Sequence, residues 1–174
     1  NASGNHIGSW HFSLTYAPED WKIRAYYEHM FEDHSMMFFE YGWKDGLAGI
    51  EVTLPKNPFA HTFLYEFMNS KDQSGAVYHD HTPEIPDQIS AIDDYYNHTL
   101  YTGWQHWGMS MGSPFLLSPI YNQNNHPNFF HNTKGSLKFY YNRVQSHHFG
   151  ICGSPADGLD YRLLVSHSKH WGSY

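Results

Sequence analysis

The sequence predicts an all-β fold of long antiparallel strands, and three observations support this prediction. Apolar and polar residues alternate over long stretches of the chain. Aromatic residues make up 18% of the 174 residues, and charged residues only 16%. No run approaches the roughly 20 apolar residues of a membrane-spanning helix. Side chains on a strand change face at every residue, so this alternation gives a sheet with one apolar and one polar face.

The first two strands show the alternation most clearly. Residues 9–16 place Trp10, Phe12, Leu14 and Tyr16 on one face and serine, histidine and threonine on the other. After a break at 17–20, the pattern resumes over residues 21–32. This second run is as long as the roughly 9–11 residues that a transmembrane β-strand needs. Strands of ordinary globular proteins are shorter, typically about 5–6 residues. The two runs predict a hairpin.

Further strands follow along the chain, separated by turn residues. Lys44, Asp45 and Gly46 form one turn signal, and residues 154–158 form another. The predicted strands cover residues 47–54, 61–69, 98–104, 136–152 and the run that starts at 159.

Two long irregular segments, 70–96 and 112–134, lie between these strands and are rich in Asn, Asp, Pro, His and Tyr. Outer-membrane barrels combine short periplasmic turns with long outer loops in this way. If the short turns all lie on the periplasmic side, the chain must cross the membrane an even number of times between the two long segments. Either 107–113 is a second crossing beside 98–104, or one long segment folds into the lumen. The prediction is an antiparallel outer-membrane β-barrel of which residues 1–174 form a single segment.

Charge restricts the partners of the chain. The chain contains 10 Lys and Arg and 17 Asp and Glu, which gives a net charge of -7. Nucleic-acid binding requires a basic surface, and no basic run occurs, so a nucleic-acid partner is not expected. An aromatic-rich soluble β-protein that binds sugar, either a carbohydrate-binding module or a glycoside hydrolase fragment, is the alternative on these data.

Several motifs resemble one protein family. The segment Gly-Trp-Gln-His-Trp-Gly at 103–108, then Pro-Phe-Leu-Leu-Ser-Pro at 114–119 and Asn142-Arg143, resembles the Wzi family of capsule-assembly outer-membrane proteins. The similarity is closest to Bacteroides-like members. Other segments that resemble this branch lie at 26–29, 31–34, 54–59, 72–75 and 161–164. The resemblance therefore covers most of the chain.

This resemblance implies a large outer-membrane β-barrel of a Gram-negative bacterium, acting as a lectin that helps assemble or anchor capsular polysaccharide. The chain would be an internal portion, with the family's periplasmic helical element outside it. We expect a monomer that is not an enzyme and has no cofactor. Its expected partners are outer-membrane lipid and capsular or extracellular polysaccharide. The loops depart from enterobacterial members, so the identity of the glycan does not carry over.

Sugar binding is also predicted from the residues themselves. Sugars present apolar C–H faces ringed by hydroxyls, so their sites combine flat aromatic rings with planar amides. The predicted carbohydrate-binding residues are Trp104, Gln105, His106, Trp107, Tyr121, Arg143, Tyr78 and Asp80. In an extended segment Trp104 and Trp107 point apart, and a bend at Gly103 or Gly108 is needed to bring them to one sugar. The structural alternative places both indoles in a core or an interfacial belt.

Arg143 has two interpretations as well. In the strand predicted over 136–152 it shares a face with Tyr141, and a charge near the midplane of a lipid face costs about 2–4 kcal/mol. Either a bulge near Asn142 shifts the register or Arg143 lies at the membrane boundary. It then serves either as a lumenal partner of a carboxylate or as a donor to a sugar.

Metal and catalytic sites are not predicted. The best histidine pairs, His29 with His34 and His79 with His81, lack the compact motif of a zinc site. Glu28 and Glu32 would lie about 13 Å apart on one strand, too far for glycoside hydrolysis, which needs roughly 5–9.5 Å. Cross-strand carboxylate pairs keep the glycosidase alternative open.

Overall fold

The computed structural model describes residues 6–32, 34–39, 42–54, 57–72, 75–76, 90–91, 95–96, 103–122, 139 and 141–172. These residues form an all-β structure dominated by one six-stranded antiparallel sheet. In chain order, the strands among the described residues are β1 (Gly8–Tyr16), β2 (Lys22–Phe31), β3 (Gly46–Thr53), β4 (Thr62–Asn69), β5 (Gly75–Ala76), β6 (Ser90–Ala91), β7 (Gln105–His106), β8 (Met109–Ser110), β9 (Val144–Ala156) and β10 (Leu159–His170). Two single helical turns are also present, α1 (His34–Met37) and α2 (Pro119–Asn122).

The large sheet has the order β1-β2-β3-β4-β9-β10, and every neighbouring pair is antiparallel. The short strands pair separately, β5 with β6 and β7 with β8. We call the end of the sheet that holds residues 17–21, 54–61 and 157–158 the turn end, and the opposite end the loop end. The predicted hairpin and the strands predicted at 47–54, at 61–69 and from 159 are confirmed.

Two predicted strands differ from the structure. The strand predicted at 98–104 is wrong where it can be compared, because Gly103 and Trp104 form a turn; residues 98–102 lie outside the described residues. A crossing at 107–113 is also wrong, since Met109 and Ser110 belong to the short β7–β8 hairpin. The strand predicted at 136–152 begins only at Val144.

The β9–β10 turn is tighter than predicted. Both strands run on until only Asp157 and Gly158 connect them. Pro155 lies within β9 at a register shift in the pairing with β10, where Ser154 and Pro155 together oppose Asp160. A proline is tolerated at such a bulge because the ladder of hydrogen bonds is interrupted there.

One face of the sheet is apolar across all six strands. Its middle row follows the register from β1 to β10 and consists of Leu14, Ala25, Ile50, Tyr65, Phe149 and Val165. The next row toward the turn end is equally apolar and consists of Tyr16, Ile23, Val52, Phe63, Ile151 and Leu163. Leu14 is 75% exposed and Phe149 57%. We call this surface the apolar face.

The opposite face, the polar face, carries hydrogen-bonded and charged side chains. The ring of Tyr26 lies over Gly49 on the neighbouring strand, and its hydroxyl donates to Glu66 on the strand after that. The guanidinium of Arg24 lies 4.9 Å from the centre of the same ring. His148 hydrogen-bonds serine hydroxyls on both sides, Ser146 and Ser166. The polar face therefore uses side-chain contacts to link neighbouring strands.

The buried core lies at the loop end, where segments outside the sheet pack over the strand ends. Its apolar members are Phe31, Met36, Met68, Tyr95, Tyr96, Leu116, Phe139 and Val144. The ring of Phe115 contacts His148, with 4.7 Å between ring centres, so this packing occurs on the polar face. Phe115 of the second long segment thus packs on the polar face, whereas Phe39 stacks on His29 of the opposite face, with 4.2 Å between ring centres. A long segment inside a barrel lumen stays a prediction.

In the part of the chain that the structure describes, no helix has the length and apolar character needed to cross a membrane.

Gly49→Ala is expected to destabilise the sheet by about 1–3 kcal/mol, because overpacking a fitted contact has costs of this order. A methyl group there would collide with the Tyr26 ring, which the hydrogen bond to Glu66 holds in place. Urea titration of the full-length protein measures the effect. Ala48→Ser, on the neighbouring residue and the opposite face, is the control and should change little. An unchanged midpoint for Gly49→Ala would contradict the contact.

Candidate functional site

The candidate sugar-binding motif folds into a small hairpin whose base is fixed to the core. Gly103 has a φ of 58°, and a Cβ at this position would collide with the carbonyl oxygen of Tyr95. The amide of Trp104 donates to that same oxygen at 2.6 Å, and the amide of Met111 donates to the carbonyl of Trp104 at 2.9 Å. Glycine is therefore required at the start of the hairpin.

The tip of the hairpin presents an aromatic pair to solvent. Trp107 and Gly108 connect β7 to β8 with φ values of 49° and 78°, the signs of a type I′ turn. Trp107 is 81% exposed, and the His106 ring is nearly parallel to it, with 5.3 Å between ring centres. A tryptophan at positive φ is strained, and such strain is concentrated at functional positions. We call His106 and Trp107 the aromatic tip.

Trp104 and Gln105 face inward instead. The indole of Trp104 donates to the carbonyl of Phe31 at 3.1 Å, and the amide of Gln105 donates to the carbonyl of Tyr96 at 2.8 Å. The predicted motif therefore divides into an anchoring pair and an exposed pair. The bend foreseen at Gly103 and Gly108 occurs, but it separates the two indoles rather than joining them on one ligand.

The other predicted site residues lie apart from the tip. Arg143 precedes β9, and its Nε donates to the carbonyl of Lys71 at 3.0 Å. No strand bulge is needed at Asn142, because the strand begins after Arg143. Tyr121 belongs to α2, and its side chain lies outside the described part of the structure, as do Tyr78 and Asp80.

A groove beside the aromatic tip offers hydroxyl groups. It has a volume of about 470 Å³ and is lined by Ser110, Gly112, Ser113, Pro114, Leu116, Leu117 and Ser118. The hydroxyl of Ser118 donates to the carbonyl of Gly108, which ties the groove to the tip. Small hydroxylated residues next to a flat aromatic surface match the hydroxyls and C–H faces of a sugar.

A buried carboxylate holds this region to the sheet, and sequence reasoning took it only as part of a turn. Asp45 accepts hydrogen bonds from Tyr95 (3.0 Å), from the side chain of Asn69 (2.8 Å) and from the amide of Asp72 (2.9 Å). Burial, reinforced by the charge of Asp45, raises the pKa of Tyr95 well above its usual value. The network joins β4 to the segments that carry the hairpin.

Metal-ligating groups do not assemble in the described ranges. No three His, Cys, Asp or Glu side chains converge there as metal ligands would. Glu28 lies on the polar face of β2, whereas Glu32 is buried beyond the end of that strand.

Comparisons with known proteins find no match for this chain among family models, curated proteins or solved structures.

Proposed function

We propose that this chain is part of an outer-membrane β-barrel that binds surface polysaccharide and helps assemble or anchor a capsule. The observation that carries the proposal is the apolar face, whose middle and turn-end rows carry exposed apolar side chains on edge and central strands alike, among them Leu14, Ile50, Phe63, Phe149 and Val165. Lipid-facing apolar residues that alternate with polar lumenal residues are typical of such barrels.

Aromatic residues at both borders of the apolar face agree with this proposal. Trp10 lies at the loop end, and Tyr16 and Phe59 lie exposed at the turn end. Outer-membrane barrels carry aromatic girdles at the two membrane interfaces. The edge strands β1 and β10 are free to pair with further strands of the same barrel.

A soluble carbohydrate-binding module or hydrolase fragment would need a second layer over the apolar face. In soluble proteins, contiguous exposed apolar patches rarely exceed a few hundred Å². Among the described residues, segments outside the sheet contact its loop end, through Phe115 on His148 of the polar face and Phe39 on His29 of the apolar face, whereas Leu14, Phe149 and Val165 stay exposed. The barrel is therefore the better account of this sheet.

The aromatic tip supports the polysaccharide part of the proposal. It lies among the segments of the loop end, where barrels carry their long outer loops. One exposed indole with a stacked imidazole and a hydroxylated groove suits weak contacts repeated along a polymer.

The test of this function uses the full-length protein in its native cells. We expect it in the outer-membrane fraction, with migration on a gel that changes on heating, and we expect its deletion to release polysaccharide into the medium. If the protein is soluble and cells that lack it keep their capsule, the proposal is wrong, and the soluble carbohydrate-binding module or hydrolase fragment becomes the favoured interpretation.

Trp107→Ala is expected to weaken polysaccharide binding by about tenfold, because exposed tryptophans at binding surfaces often contribute this much. Stability should not change, since the side chain is exposed. Binding of capsule to the purified protein is measured by calorimetry. Trp43→Ala, which removes another exposed indole, is the control. Equal binding by the wild type and the Trp107 variant would exclude the aromatic tip as the contact.

A further inference from the structure

Two lysines lie over one tryptophan at the loop end of β4, β9 and β10, and an arginine lies beside them. The ammonium groups of Lys71 and Lys169 lie 4.7 and 5.0 Å from the centre of the Trp171 ring, within cation–π distance. Arg143 hydrogen-bonds the backbone of Lys71. We call Lys71, Arg143, Lys169 and Trp171 the basic cluster. It holds three of only ten Lys and Arg in a chain whose net charge is -7.

The register places this cluster at the border of the apolar face. Lys169 pairs with Gln145, which pairs with Asn69, and this row lies on the same face as Val165. Lys169 is four residues beyond Val165, about 13 Å along the strand. The cluster thus begins where the exposed apolar residues of these three strands end.

Backbone hydrogen bonds fix the cluster beyond the strand ends. The amide of Trp171 donates to the carbonyl of Arg143 at 2.9 Å, and the amide of Arg143 donates to that of Gly172 at 3.1 Å. Ser70, next to Lys71, donates its amide to Val144 at 2.8 Å. Holding two ammonium groups at one ring is unfavourable by repulsion, and a bound anion would offset this cost.

We propose that the basic cluster binds the phosphate of an anionic lipid headgroup in the membrane leaflet at the loop end. This inference rests on the proposed function, because it takes the apolar face to be lipid-facing. Lysine and arginine bind phosphate through charge-assisted hydrogen bonds, and tryptophan favours the membrane interface. The position beside the exposed apolar residues of β9 and β10, Phe149 and Val165, favours lipid over polysaccharide.

The test measures lipid retention by the full-length protein in detergent, using native mass spectrometry. Phosphatidic acid is the phosphate probe, and phosphatidylcholine with the same acyl chains has no net charge. We expect the double variant K71Q/K169Q to lose about tenfold or more of its affinity for phosphatidic acid, since each basic residue contributes to binding an anionic lipid surface. K71R/K169R should keep the wild-type affinity. K44Q removes a lysine over another tryptophan, Trp43, and is the matched control.

The outcomes separate this inference from the proposed function. A membrane-inserted protein whose phosphatidic acid affinity is the same in the wild type and K71Q/K169Q would overturn the lipid site and leave the barrel standing. If an acidic oligosaccharide, oligogalacturonate, binds through these lysines and phosphatidic acid does not, the cluster belongs to the polysaccharide and the inference is wrong. A protein that does not enter membranes would overturn both.

Discussion

Val165→Lys is expected to weaken folding of the full-length protein into lipid vesicles by about 2–4 kcal/mol, whereas Leu164→Lys should have little effect. The two residues are neighbours on β10 and similarly exposed, at 56% and 63%. They lie on opposite faces, because Val165 pairs with Phe149 on the apolar face and Leu164 pairs with Gly150 on the polar face. Only a lipid-facing lysine loses its hydration.

The free energy of folding of both variants is measured by urea titration in vesicles, with the heat-dependent shift on a gel as the readout of the folded fraction. Both residues are apolar, lie on the same strand and are similarly exposed, so the main difference between them is the face of the sheet. Equal costs for the two substitutions would contradict a lipid-facing apolar face. A larger cost for Leu164→Lys would indicate that the polar face is the one packed against a hydrophobic layer.

Asp45→Ala is expected to destabilise the loop end by about 3 kcal/mol or more. The substitution leaves Tyr95, Asn69 and the amide of Asp72 without the acceptor that they share. Each buried donor that loses its partner costs about 1–3 kcal/mol. The effect should be local, because these groups join the loop-end segments to the sheet rather than strand to strand.

Hydrogen exchange of the full-length protein locates this effect. We expect faster exchange at Asp72 and at Trp104, whose amide is bonded to Tyr95, and unchanged exchange in β2 and β3. Asp157→Ala, at the exposed β9–β10 turn, is the control. Exchange that is unchanged at Trp104 would show that Asp45 does not hold the hairpin in place.

The sheet was predictable from the sequence because its strands alternate between apolar and polar residues with few exceptions, such as Leu164 on the polar face. The two-residue period of a strand was enough to predict the strands at 9–16 and from 159. The residue types alone were enough to predict the turn at Lys44 to Gly46. The pairing of β4 with β9 was not predictable, since no local pattern connects strands so far apart in sequence.

The site was predictable in part. The sequence indicated Trp104 to Trp107, but their division into anchor and tip depends on the positive φ of Gly103 and Trp107. Aromatic residues in an apparent alternation concealed this turn, so a strand was predicted there. Asp45 was visible only as a turn residue because its partners come from distant segments.

The β4–β9 pairing also constrains the order of folding. Tyr65 and His147, which hydrogen-bond across these strands, are 82 positions apart in the chain. Closing such a loop is slow compared with forming the local β1–β4 meander or the β9–β10 hairpin, so the two pieces should form first and join last. The loop-end core contains Met68 from β4 and Val144 from β9, so it can form only after these two strands have paired. Display of the aromatic tip is in this way coupled to completion of the sheet.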